Sequence, residues 1–111
     1  MSCDCFAAHL YGVQVEGDSV RPEILKNYED AVELFNCINE GEFPEGYPEE
    51  AEHVEFIGGP GNSWYIGYSA VMPYEGGGTS KEEMDRDIRL CLEFLFGETD
   101  TPDTIFEAWC E

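Results

Sequence analysis

The sequence predicts an α+β fold of order βαββαβ: a four-stranded antiparallel sheet with two helices on one face. Three observations carry that expectation. Apolar residues alternate with polar ones near both ends and in the middle of the chain, as half-buried strands require. Two stretches between them have the i, i+3, i+4 spacing of helices that bury one stripe. Runs rich in glycine, proline or asparagine separate them, so neither pattern continues into the next.

The first strand is expected over 6–16, where His9, Tyr11, Val13 and Val15 share one face and Gly17-Asp18 ends the run. Arg21-Pro22 starts a connector. A helix then begins near Asn27, a good N-cap residue, with Glu29 and Asp30 in the first turn, where the helix dipole favours acids. Its buried stripe is Ala31, Leu34, Phe35 and Ile38, and Asn39 with Gly41 closes it. Pro44, Gly46 and Pro48 leave the next segment an extended loop. A second strand is expected over 52–57 with Val54 and Phe56 inward. A turn over 58–62 follows, then a longer strand with Trp64, Ile66, Tyr68, Ala70 and Met72 on one face.

After a glycine loop, Ser80 and Glu83 form a capping-box signature. The helix it opens carries Met84, Ile88, Cys91, Leu92 and Leu95 on one face and stops at Gly97. A loop over 98–103 and a strand over 104–110 complete the chain. This order resembles the split βαβ, or ferredoxin-like, arrangement, which implies the strand order 4-1-3-2 and makes the second strand an edge. Many functions use that arrangement, so it decides nothing about activity.

At 111 residues the chain is expected to form one domain, 1–111, with a single modest core. Its 42% hydrophobic content is too rich for a disordered acidic tail. Charge is the anomaly: 5 Lys plus Arg against 25 Asp plus Glu, a net charge of −20. Solubility in a small domain needs a magnitude of only about 2–8. The sign disfavours direct binding of nucleic acid or anionic membranes and favours a basic protein surface, a cationic ligand or metal ions. The N-terminus has neither the basic region nor the apolar run of a signal peptide, and no stretch is long enough to span a bilayer. With five cysteines in no secreted-type framework, a reducing cytoplasm is the expected compartment.

The acid is unevenly placed. No Lys or Arg lies between Lys26 and Lys81, whereas the second helix offers i, i+4 pairs in Glu82–Arg86 and Asp85–Arg89. Unrelieved carboxylates therefore collect on the first helix (Glu29, Glu33, Glu40), the following loop (Glu42, Glu45, Glu49, Glu50) and the second strand (Glu52, Glu55). Edge charges do block strand-to-strand aggregation, but far fewer would suffice. Duplex DNA carries one charge per ~1.7 Å of axis, a density that carboxylates along a loop and edge can approach. Phe43 and Tyr47, set among these acids, are the expected apolar anchors. In charge and size the composition is similar to that of acidic DNA-mimic inhibitors, such as phage anti-CRISPR and anti-restriction proteins. No family motif accompanies the likeness. It implies a partner with a basic surface, a nucleic-acid-binding, CRISPR or restriction protein. The alternative is a small acidic regulatory or structural protein-interaction module.

Other chemistry finds less support. Cys3, Cys5, His9 and Cys110 could meet across the first and last strands as a zinc set, but Cys-x-Cys is not an ordinary zinc spacing. No segment has the calcium-loop pattern. His9 and His53 have no linked nucleophile, Cys37 and Cys91 fit as small core residues, and the glycine runs match no phosphate-binding loop. No cofactor, metal or catalytic residue is expected.

Overall fold

The computed structural model describes residues 5–69 and 80–110. It is a small α+β fold with a four-stranded antiparallel sheet and three helices: β1 (Cys5–Glu16), α1 (Pro22–Leu25), α2 (Ala31–Asn39), β2 (Glu55–Gly58), β3 (Ser63–Ser69), α3 (Lys81–Phe96) and β4 (Asp103–Cys110). Strand order is β2-β3-β1-β4. Val13 stands opposite Ile66, Leu10 opposite Ile105 and Phe56 opposite Ile66. Gly12 faces Gly67 across the central pair, where a Cβ on Gly12 would lie 2.0 Å from the Ile66 carbonyl oxygen. No side chain fits there.

The helical face of the sheet carries the main core. Val13, Phe56 and Ile66 of the sheet meet Leu34, Phe35 and Ile38 of α2 and Ile88, Cys91, Leu92 and Leu95 of α3. Phe35 stacks on Phe56 at 4.9 Å between ring centroids and meets Trp64 edge-on at 4.8 Å. The opposite face is not a bare solvated surface. Ala8, Leu10 and Tyr65 are buried there, with Ile57, Ile105 and Trp109 against them. None of the described helices is long and apolar enough to cross a membrane.

Three differences from the predicted elements exceed a single residue. Pro22 occupies the first turn of a short helix of its own, α1, so there are three helices among the described residues rather than two. Consequently α2 starts at Ala31 and not near Asn27. Asp30, in extended backbone, is the N-cap and accepts the Glu33 N–H at 2.9 Å. β2 begins at Glu55 rather than Glu52, because Glu49–Ala51 turns as a 3₁₀ helix that buries Ala51. His9 shares the face of Tyr11, Val13 and Val15, but unlike them it lies exposed, 5.1 Å from the Phe106 ring and beyond the reach of the main core. Ala70 and Met72 lie outside the described residues.

The helix ends are satisfied locally. Ser80 accepts the Glu83 N–H at 3.1 Å, and Gly97 ends α3 in the left-handed region at φ 76°. Arg21 donates its backbone N–H to Leu95 O and its guanidinium to Phe94 O, occupying carbonyls of the last turn of α3.

Candidate functional site

From Glu29 the chain runs through α2, the loop after it, the 3₁₀ turn and β2, an edge strand against which α2 packs; this stretch is the acidic border. Glu29, Glu33, Glu40, Glu42, Glu45, Glu49, Glu50, Glu52 and Glu55 are all exposed along this stretch. Among the described residues the ion pairs are Arg21–Glu23 and Arg86–Asp87, so none of these nine carboxylates is ion-paired there. Two have local structural work. The Glu33 carboxylate accepts the Glu29 N–H at 3.1 Å, tying down the start of α2, and Glu55 accepts the Ser69 N–H at 3.1 Å. Glu40 and Glu42, by contrast, follow the negative end of the α2 dipole, with no base in its last turn. An acid in such a position costs about 0.3–1 kcal/mol.

The field is felt by the neighbouring groups. Burial first, then Glu42, Glu33 and Glu40, push the Cys37 thiol above its ordinary value. Tyr28 is raised likewise, by burial and then by the charges around it, Glu33 and Glu42 included. Both shifts disfavour a further negative charge beside this border.

Phe43 and Tyr47 sit differently from free anchors. Their rings stack at 5.1 Å with 9° between planes, and both pack against the main core. Tyr47 meets Phe94 edge-on at 5.6 Å and donates its hydroxyl to Ala51 O at 3.0 Å, with Cys91 Sγ at 3.4 Å. Burial foremost, then Cys91, raises that hydroxyl far above its ordinary value. Tyr47 therefore pins the acidic loop to α3, which turns the loop into a fixed platform for its carboxylates.

The platform is continued by residues that charge counting overlooked. A cleft of about 540 Å³ is lined by Glu49, Glu50, His53, Tyr68, Glu83, Arg86 and Asp87. Asp87 is buried, accepting from Tyr68 Oη at 2.7 Å and from Arg86 Nε and Nη2 at 3.0 and 2.8 Å. The expected Glu82–Arg86 and Asp85–Arg89 pairs are absent from the described ion pairs. Arg86 serves the buried carboxylate instead, and Asp85 accepts the Tyr11 hydroxyl at 2.5 Å. The sequence did hold a signal: Asp87 falls among Met84, Ile88 and Cys91 on the apolar stripe, where an acid needs partners.

The thiols expected near one another do meet, but as a bond. Cys5 and Cys110, directly opposed on β1 and β4, form a disulfide and are not thiolate ligands in this state. Cys3 lies outside the described residues. Among the described residues no group of three or more His, Cys, Asp or Glu side chains could hold a metal ion. No protein-family model, curated protein or solved structure matches this chain at a significant level.

Proposed function

We propose that the chain is an acidic binding protein that occludes a basic DNA- or RNA-binding surface on a host or defence protein, in the manner of anti-CRISPR or anti-restriction inhibitors. One observation carries the reading: nine exposed carboxylates, from Glu29 to Glu55, lie without an ion-pair partner among the described residues. Self-repulsion there costs stability, and a surface of Lys and Arg returns it on binding. The action is occlusion, with no catalytic step. We read the scaffold as ferredoxin-like; its antiparallel neighbours and the order β4-β1-β3-β2, seen from the β4 edge, support that reading.

A nucleic-acid-binding target in a phage-infected cell places the protein in the cytoplasm. Thiol reductants there would hold Cys5 and Cys110 as an opposed dithiol pair, so the inhibitor must fold without its covalent link. The test is capture from a bacterial lysate under reducing conditions, followed by elution with duplex DNA or RNA. A partner that nucleic acid displaces competitively supports the reading. Partners retained against saturating nucleic acid would refute it.

A further inference from the structure

The two edges of the sheet are finished in opposite ways. β2 has four residues, and Asn39 covers it: the Asn39 side chain donates to Phe56 O at 2.8 Å and accepts from Phe56 N at 3.0 Å. The outward backbone groups of Phe56 are thus already used. β4 has eight residues, and among the described residues no strand pairs with its outer side. Long, uncovered edges of this kind are what proteins ordinarily blunt.

Two observations show which β4 backbone groups face outward. The Thr104 N–H bonds the Asp103 carboxylate at 2.8 Å, so it is turned away from β1. At the other end Cys5 and Cys110 are only 4.1 Å apart at Cα, the spacing of a pair without ladder hydrogen bonds. Thr104, Phe106, Ala108 and Cys110 therefore share one alternation, with N–H and C=O directed away from β1; the Thr104 N–H already serves Asp103, and those of Phe106 and Ala108 are the donors on offer. The side chains there are open as well: Phe106 is 70% exposed, and Glu107 and Ala108 are exposed.

We propose that β4 is a second interaction surface, which adds an extended segment of a partner protein carrying Lys or Arg at alternate positions. Main-chain bonds to the outward N–H and C=O groups supply affinity, and alternate side chains supply choice. Charge selects the occupant. From residue 90 onward the chain holds Glu93, Glu98, Asp100, Asp103, Glu107 and Glu111 and no Lys or Arg. A cation on the added strand meets Glu107 on one face, while its neighbours lie over Phe106 on the other. A second copy of this chain is a poor occupant, since it would bring another net charge of −20 edge to edge. The surface lies at the sheet edge opposite β2 and does not depend on the occlusion reading.

The test uses the whole protein and three labelled ten-residue peptides. One alternates Lys with Thr and Val, one alternates Glu in the same frame, and one holds the same Lys count in a proline-interrupted, strand-incompetent sequence. Hydrogen exchange at the Phe106 and Ala108 amides should slow by about tenfold or more with saturating Lys–Thr/Val peptide and with neither control. Ala108→Pro removes one outward donor, a change edge strands tolerate, and should weaken that peptide by about tenfold with the fold retained. Should that variant unfold, Glu107→Lys serves instead and should reverse the preference between Lys and Glu peptides. Unslowed amides, or equal binding of the strand-incompetent Lys peptide, would overturn the proposal. So would a concentration-dependent dimer through β4 that excludes the peptide.

Discussion

Phe35→Ala tests the packing that holds the acidic border in place. The ring is fully buried, stacked on Phe56 and set edge-on to Trp64, so truncation loses both ring contacts and leaves a cavity between α2 and the sheet. Phe→Ala in a core costs about 3–5 kcal/mol. Two aromatic partners, each worth ~0.5–1.5 kcal/mol beyond burial, place this site toward the upper end. Domains of this size hold about 5–15 kcal/mol in total, so the variant stands near the limit of folding. Phe106→Ala is the matched control. Its ring is 70% exposed, and the expected change is about 0.5 kcal/mol or less. Urea denaturation of both variants, at unchanged slope, gives the comparison directly. Equal losses would refute the assignment of these rings to core and surface, and with it the α2 placement on which the border depends.

Three further outcomes are expected. Reducing Cys5–Cys110, which closes a loop of 105 residues in sequence separation, should lower stability by about 4–5 kcal/mol on the chain-entropy account; denaturation with and without reductant measures it. Raising salt from low to moderate concentration should raise the melting temperature, because screening relieves unpaired carboxylates; a steady fall would count against them. The Tyr11 hydroxyl is pushed up to about 12, chiefly by its hydrogen bond to Asp85, from an unfolded value near 10. Its contribution to stability is therefore complete below pH ~10 and lost as pH rises toward 12. Tyrosinate absorbance should show Tyr11 titrating late, and Asp85→Asn should bring it earlier.

Periodicity was the most legible part of the chain. The stripes Leu34, Phe35, Ile38 and Ile88, Cys91, Leu92, Leu95 are buried as their spacing predicts, because a single amphipathic helix has one way to face a sheet. Local competition hid the rest. Pro22 drew four residues into a helix before Asn27 could cap one, and the Glu49–Ala51 turn shortened β2. Neither leaves a periodic trace. Within the acidic border, exposure of the carboxylates followed from composition, since isolated charges stay in water. The places of Phe43 and Tyr47 did not follow. Whether an aromatic ring in a loop faces a partner or its own core depends on the distance to α3, which no local pattern encodes. The Tyr68–Asp87–Arg86 cluster was hidden for the same reason: Arg86 had acids at helical spacing available and bonded the buried Asp87 beside it.

The most direct measurement of the central claim compares two charge reversals of equal size against a captured partner, with association and dissociation rates read at two salt concentrations. Glu42, Glu45, Glu49 and Glu50 become Lys in one variant; Glu16, Glu82, Glu93 and Glu98 become Lys in the other. All eight side chains are exposed, so both variants should remain folded, and each moves the net charge of −20 by the same amount. If the loop and turn mimic a phosphate backbone, the first variant should abolish binding. The second should retain it, with a modestly slower, salt-dependent association. Equal losses would mean that total charge alone governs binding, and full binding by the loop variant would contradict the account.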